Sequence, residues 1–506
     1  MNFTERLSSL AKPDIILIIT DQERATQHFP IGWEQEHLKS LTFLKQRGFS
    51  FDRAYCNSCM CSPSRATLFT GTYPAQHQVT QTLTFGGNLS PAEVQLDNSL
   101  PNMARMLISD GYDVQYRGKW HMSKGEGENG LTASDVALYG FKGWLPPDAG
   151  EDTKPENFGG GFANHDKEYV QQSIEFLEQV RYRRSKGDNQ PYCLVVSLVN
   201  PHDVLCYPSG FDYGYNDYFL EGDIGLPKSV SEDLLLNKKP MAQAQTVVTA
   251  ASLLGPLPTD SDKTKYINFY GNMLKWVDKE IGFFLKALYL EDEQGYSLAN
   301  QAIVIRTADH GEMGMAHGGM RQKAFVAYEE ALRVPLIISN PILFPADESE
   351  SHKNTFHLAS LIDLMPTIAQ LTGATPPSGL KGVDLTPLLQ ENAPVQEAIL
   401  FTYDDTKAGS NSIPSAVKAA NRLRSIRTEE WKFNHYFDAL GAYPDEYELY
   451  NMKTDLEEIT NLAYDSEYAG IRAQLEAELK ALEYQKLLIN PKQAAFGKVY
   501  DHLGNK

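Results

Sequence analysis

Apolar residues in this chain fall into two alternating kinds of run. Short continuous stretches are Ile15-Ile16-Leu17-Ile18-Ile19-Thr20, Tyr192-Cys193-Leu194-Val195-Val196-Ser197-Leu198-Val199 and Ala302-Ile303-Val304-Ile305-Arg306-Thr307. Each is apolar at both parities of a period-two repeat, the signature of a strand inside a sheet covered on both sides. Between them, apolar residues recur three and four apart, and helices are expected over 102–110, 266–288 and 357–371. In the second of these, Tyr266, Tyr270, Met273, Leu274, Val277, Ile281, Phe284 and Leu285 form a stripe that reads as core. The alternation of strand and helix predicts an α/β domain.

Near residue 390 the pattern changes, after the loose stretches 374–379 and 391–394. Beyond it lie strand candidates at 398–403, 425–436 and 447–451, then an amphipathic helix with Ile471, Leu475, Leu479 and Leu482 on one face. The expected division is a catalytic domain over 1–390 and a smaller α+β domain over 391–506, an antiparallel sheet plus a helix. Internal repeats are absent from the sequence.

Composition narrows the classes. A 42% hydrophobic and 22% charged chain of 506 residues is ordinary for a soluble globular protein. No apolar run approaches the ~18 residues of a membrane helix. The formal net charge of -19 disfavours nucleic acid and anionic membranes as partners, and it suits large polyanionic substrates poorly. Five cysteines, an odd number, argue against a disulfide framework. Residues 1–12 contain no apolar core of a secretory signal, so a reducing, cytoplasmic setting is expected.

Polar residues close each of the three strand candidates: Asp21-Gln22, Asn200-Pro201-His202 and Asp309-His310. An open α/β sheet binds its ligands there, outside the carboxyl ends of its strands. Asp21 with Asp309-His310-Gly311-Glu312 offers hard oxygen donors for a divalent cation, and the imidazole of His310 brings manganese into competition with calcium. Arg65 follows Cys61 by four residues, which on a helix places both on one face, where the guanidinium would stabilise an anionic group at position 61. Pro63 suits the first turn of such a helix. Along a strand through Gly118-Lys119-Trp120-His121, alternation sends Lys119 and His121 to the same side.

Cys61-Ser62-Pro63-Ser64-Arg65, with Thr70-Gly71 close behind, resembles the modification signature of sulfatases. Gly111-Tyr112 followed by Gly118-Lys119-Trp120-His121 is similar to the second signature of that family. Asn200-Pro201-His202, Lys323, Arg333-Val334-Pro335-Leu336, Leu449-Tyr450-Asn451 and Asn461-Leu462-Ala463 extend the resemblance over nearly the whole chain. It implies the alkaline phosphatase-like fold: a large, mostly parallel mixed sheet sandwiched by helices, with a smaller C-terminal antiparallel sheet and helix.

The resemblance also implies the chemistry. A formylglycine-generating enzyme converts Cys61 to 3-oxoalanine (formylglycine), whose hydrate is the nucleophile toward a small-molecule sulfate ester. One divalent metal, calcium by family with manganese as the alternative, sits on Asp21, Gln22, residue 61, Asp309 and His310. Lys119, His202 and Lys323 bind the sulfate, with His317 as a further pocket residue. His202 or Lys323 protonates the departing alcohol, and His121 takes a proton from the second hydroxyl to expel sulfate. Arg65 supports the nucleophile.

Gln22 departs from the pattern, since many sulfatases carry a second acid there. The Asp-Gln pair also occurs in related phosphonate monoester and phosphodiester hydrolases, which stand as the alternative activity; a non-catalytic metal-binding relative with unmodified Cys61 is the second. Aromatic residues of the 203–218 loop, Tyr207, Tyr213 and Tyr215, are candidates to stack on a substrate ring, with the loops 85–95 and 408–422 as further pocket walls. Three letter-matches are set aside: Cys56, Cys59 and Cys61 lack a fourth ligand at finger spacing. Gly125–Gly130 carries two glutamates that would repel a pyrophosphate. Trp120 occupies the Ser/Thr position of a P-loop.

Overall fold

The computed structural model describes residues 2–84, 93–125, 130–150, 152–345, 353–407 and 417–487. Its strands, in chain order, are β1 (Asp14–Asp21), β2 (Gly48–Phe51), β3 (Ala54–Tyr55), β4 (Ser58–Cys59), β5 (Asp113–Gly118), β6 (Tyr192–Pro201), β7 (Ala302–Ala308), β8 (Leu336–Ser339), β9 (Asn354–Thr355), β10 (Ala359–Ser360), β11 (Ala398–Tyr403), β12 (Arg422–Thr428), β13 (Trp431–Phe437) and β14 (Glu446–Asn451). A seven-stranded sheet runs β5-β6-β1-β7-β8-β2-β9. The four strands β5, β6, β1 and β7 are parallel, while β8 is antiparallel to both of its neighbours.

The two parities of the apolar strands bury against different layers. Ile15, Leu17 and Ile19 of β1 face a core shared with Leu68 and Phe69 of the helix Cys61–Thr70 and Ile368 of the helix Leu364–Thr372. Ile16 and Ile18 face the opposite core, with Phe176 of the helix His165–Ser185 and Met273 of the helix Asp260–Leu288. Each isoleucine so buried contributes about 1.5–3 kcal/mol, which is why both parities must be apolar. The expected helix-covered, mostly parallel sheet is therefore present, and so is the smaller sheet, ordered β14-β13-β12-β11-β4. It is antiparallel from β14 to β11, and the helix Ala469–Leu487 packs on it through Leu475 and Leu479.

Three local expectations are corrected. Residues 425–436 are not one strand but parts of β12 and β13, joined through Glu429 and Glu430 in a hairpin closed by Trp431 N donating to Thr428 Oγ1 at 2.9 Å. No Gly or Pro marks that turn. The helix expected over 357–371 begins only at Leu364. Before it, β10 pairs with β3, and Asp363 accepts from Ser360 N and Oγ, both at 2.8 Å, which caps the short 3-10 turn Leu361–Asp363 leading into the helix. The helix expected from 266 starts earlier, at Asp260, behind the capping box of Thr259 and Asp262. Among the described residues, no helix is long and apolar enough to cross a membrane.

β4 joins the outer strand of the smaller sheet, with Ser58 opposite Thr402 and Cys59 opposite Tyr403. It leads straight into the helix that starts at Cys61. The carboxyl ends of β1, β5, β6 and β7 lie along one edge of the large sheet, so Asp21, Lys119, His202 and Asp309 converge in front of Cys61.

Candidate active site

Four donor atoms from Asp21, Cys61, Asp309 and His310 lie within 4.8 Å of one another, all buried. The Cys61 sulfur is 3.1 Å from His310 Nε2 and 3.7 Å from Asp21 Oδ1. His310 Nδ1 lies 3.1 Å from the Gly311 carbonyl oxygen, to which it donates, so Nε2 is the nitrogen turned to the cluster. Burial opposes charge on the ring, but Asp309 and Cys61 push it up to about 10. Cys56 and Cys59 are outside this group.

Arg65 lies one turn beyond Cys61 on the same helix, as the spacing required, and its guanidinium is held by four acceptors. Its Nε donates to Asp309 Oδ2 at 2.9 Å and one terminal nitrogen to Asp21 Oδ2 at 3.0 Å. The other terminal nitrogen donates to the Lys119 carbonyl at 3.0 Å and Ser197 Oγ at 2.8 Å. Arg65 thus ties together the four strands β1, β5, β6 and β7 and clamps the carboxylates of Asp21 and Asp309. It is a positioning residue.

Burial alone would raise the Asp21 carboxyl, but Lys119, His202, Arg65 and His310 together hold it well below the usual carboxylate range. Asp309 goes the other way, pushed up to about 6 by burial and by the charge of Asp21. Two carboxylates at one site cannot both ionise freely without added positive charge. Burial and Asp21 also oppose ionisation of the Cys61 thiol, yet Lys323, Lys119 and His310 overcome them and depress it. Burial pushes His202 down to about 4, aided by Lys119, so its imidazole is neutral near pH 7.

Lys119 and His121 are aimed by remote groups, not by strand alternation. β5 ends at Gly118, whose φ of 99° turns the chain, and a Cβ there would lie 1.9 Å from the Ser197 carbonyl oxygen. Beyond it, Asp148 accepts from Trp120 N at 2.6 Å and His121 N at 2.9 Å. Lys119 Nζ reaches Asp21 Oδ2 and the Gly150 carbonyl, each at 2.6 Å. His121 Nε2 donates to the Leu83 carbonyl at 2.7 Å, leaving Nδ1 as the basic nitrogen of the ring. Asp148, Ser197 and Gly150 were not legible as site residues, for each acts through a contact distant in sequence.

Gln22 sits with a φ of 69° at the turn after β1. Its side-chain oxygen accepts from Lys323 Nζ at 2.5 Å, and its amide nitrogen donates to Glu312 Oε2 at 2.5 Å. Glu312, fully buried, also accepts from Tyr266 OH at 2.8 Å and Gln322 N at 2.9 Å. This last residue of Asp309-His310-Gly311-Glu312 therefore fixes which way the Gln22 amide points. Glu312→Gln removes the acceptor that orients Gln22 and is expected to weaken divalent-metal affinity about 10–100-fold. Titration calorimetry with manganese would check it; unchanged affinity in a folded variant would show that Gln22 needs no such support.

In front of Cys61 opens a cavity of about 330 Å³, with Cys61, His121, His202 and Lys323 among its lining residues. The helix Met241–Leu254 forms one wall, presenting Thr246, Thr249, Ala250, Leu253 and Leu254, a segment for which no helix was expected. It lacks the charged face that marks an amphipathic helix in sequence. Thr406, Lys407 and Val417 line another side. His317, expected in the pocket, is not on its lining: its Nδ1 meets Glu232 Oε2 at 2.6 Å, and its ring stacks on Tyr328 with centroids 3.7 Å apart. From the 203–218 loop only Leu205 lines the cavity. Tyr207, Tyr213 and Tyr215 do not, and Tyr215 is hydrogen-bonded to Asp203 and packed on Phe269. Residues 85–92, 126–129 and 408–416, parts of the loops named above, lie outside the described residues.

A family model described as sulfatase matches residues 13–374, and one described as N-sulphoglucosamine sulphohydrolase, C-terminal, matches 317–485. Arylsulfatase K of Mus musculus is 25% identical over 490 residues, covering 94% of this chain and 80% of its own length. A Delta 4,5-hexuronate-2-O-sulfatase of Bacteroides thetaiotaomicron is 25% identical over 473 residues, with 92% and 88% covered. Among solved structures, a 2-O GAG sulfatase matches with a TM-score of 0.70 at 23% identity, over 94% of this chain and 92% of that one. The phosphonate monoester hydrolase of Agrobacterium radiobacter matches at 0.63 and 21% identity, over 94% and 96%.

Proposed function

The chain belongs to the sulfatase family, and on that premise we propose that it hydrolyses a sulfate monoester with a nucleophile made from Cys61 by a formylglycine-generating enzyme. The observation that carries this reading is the position of Cys61. It stands at once on the cavity wall and in the buried donor cluster, with Lys119, Lys323 and His310 near enough to depress its thiol.

Asp21, Gln22, Asp309 and His310 would hold a divalent cation beside residue 61, calcium or manganese by donor chemistry. The fit rests on the orientation of His310, whose Nε2 faces the cluster and whose extra proton a cation would replace. It rests also on two buried carboxylates, Asp309 being raised by burial and by the charge of Asp21. When present, the cation and the formylglycine together supply an ionised hydroxyl nucleophile and charge neutralisation for the transferring group.

The chain's own residues do the rest. Lys119 Nζ and Lys323 Nζ are the positive groups available to the sulfate oxygens as charge develops on them. The neutral imidazole of His202 donates a hydrogen bond to the same group, and with that ring neutral the proton for the departing alcohol comes from Lys323. His121, with Nδ1 as its base, takes the proton whose removal lets sulfate leave. Arg65 and Glu312 hold these groups in place. Residues 1–390 carry this chemistry, while residues 391–506 contribute part of the cavity wall. The five free, buried thiols support a reducing, cytoplasmic compartment.

A second reading, phosphonate monoester or phosphodiester hydrolysis, is favoured by Gln22 where many sulfatases carry an acid. Protein with formylglycine confirmed by peptide mass should cleave 4-nitrophenyl sulfate with a higher kcat/KM than the matching phosphate diester and phenylphosphonate. The reverse order would make Gln22 the better guide to substrate.

A further inference from the structure

Away from the reacting groups, the cavity wall is short of charge. The helix Met241–Leu254 contains no ionisable side chain, and it turns Thr246, Thr249, Ala250, Leu253 and Leu254 to the cavity at spacings of three and four. Both of its threonine hydroxyls are spent within the helix. Thr246 Oγ1 donates to the Ala242 carbonyl at 2.8 Å and Thr249 Oγ1 to the Gln245 carbonyl at 2.9 Å. The wall therefore offers methyl groups and acceptors, but no hydroxyl proton for a bound anion.

Arg321 is the guanidinium on the lining, and it too is committed. Its terminal nitrogens donate to the carbonyls of Ala250 at 2.9 Å, Gly255 at 2.7 Å and Tyr207 at 3.3 Å, which fastens the end of the wall helix. Leu205, Met60, Phe325 and Val417 add further apolar surface. Among the described residues, two ionisable groups remain on the lining beyond the reacting end, Asp152 and Lys407, and they are of opposite sign. Asp152 Oδ1 is already taken by Lys154 N at 2.8 Å and Asn157 Nδ2 at 3.1 Å. A volume of about 330 Å³ lies at the small end of ligand pockets, which span roughly 300–1,000 Å³. It suits one ring and its sulfate better than several linked sugars.

We propose that the alcohol half of the substrate is a single uncharged, largely apolar ring or short chain, bearing neither a carboxylate nor a second sulfate. This rests on the reading of the site as a sulfate-ester hydrolase. A second anion on the alcohol would be stripped of water against leucine and threonine methyls, which is costly in both ground and transition states. Among the described lining residues beyond the reacting end, Lys407 is the single cationic side chain apart from Arg321, which is committed to carbonyls. The net charge of -19 opposes its approach as well.

Two esters matched in size and in leaving-group acidity test this: 4-propylphenyl sulfate and 4-(2-carboxyethyl)phenyl sulfate, given to the full chain with confirmed formylglycine. The neutral ester should be preferred by about 100-fold or more in kcat/KM. Leu253→Arg, which places a cation on the wall, should narrow that ratio at least about tenfold by raising the rate on the carboxylate ester. Equal rates on the two esters would overturn the proposal while leaving the activity standing. So would a preference for the carboxylate ester that disappears in Lys407→Ala, since it would make Lys407 an anion receptor. Failure to cleave either ester, or 4-nitrophenyl sulfate, would overturn the activity and the proposal together.

Discussion

Cys61→Ala is expected to lower kcat on 4-nitrophenyl sulfate by about 10⁴-fold or more, with the fold intact. Among the described residues, Cys61 is the one cavity-lining side chain that also belongs to the donor cluster. The helix around position 61 is held by other contacts. Ser62 Oγ accepts from Leu83 N at 3.0 Å, and Ser64 Oγ donates to the Asp309 carbonyl at 2.5 Å. Neither involves the thiol, so the denaturation midpoint should move little while initial rates collapse. Retention of activity within about tenfold of the parent would place the nucleophile elsewhere and sink the mechanism proposed above.

Arg65→Ala should unfold more easily, by about 3–5 kcal/mol in the presence of chelator, because it strands two buried carboxylates without their common partner. Asp21, Asp309 and Arg65 are all fully buried, so water cannot compensate. Saturating divalent cation should restore part of the loss, since the ion supplies the missing positive charge to the same two side chains. Arg65→Lys should recover less than its charge suggests, for an ammonium cannot reproduce a planar fork that serves four acceptors from four strands. Urea unfolding of the three proteins, with and without manganese, measures both effects. A chelated Arg65→Ala within about 1 kcal/mol of the parent would mean that the carboxylates are relieved by protonation instead.

How much of this was legible in the sequence follows from the range of the interactions. β1, β6 and β7 announce themselves because burial on two faces writes an unbroken apolar run, and their polar ends marked the site edge correctly. Cys61 with Arg65, and Asp309 with His310, are separations of four residues or fewer, so local geometry was enough to bring them together. His317 failed as a pocket residue because its ring answers to Glu232 and Tyr328, which no local pattern reveals. Lys119 and His121 were placed in the site for the wrong reason: Asp148 and the Leu83 carbonyl aim this segment after the strand has ended. The hairpin at Glu429-Glu430 was missed because its closure relies on the Thr428 hydroxyl, not on a glycine. The wall helix Met241–Leu254 was missed because a neutral helix facing a cavity has no polar stripe to set its period.

The pairing of β4 with β11 bears on any attempt to shorten or shuffle this enzyme. In linear order the smaller sheet looks like a detachable appendix, yet two residues before Cys61 the chain is hydrogen-bonded into it, Cys59 lying opposite Tyr403. Cutting the chain ahead of β11 would leave the segment that presents position 61 as a loose sheet edge. Grafting the C-terminal part of a relative would change the footing of the reactive residue itself, so specificity is better re-engineered on the wall helix than by exchanging halves.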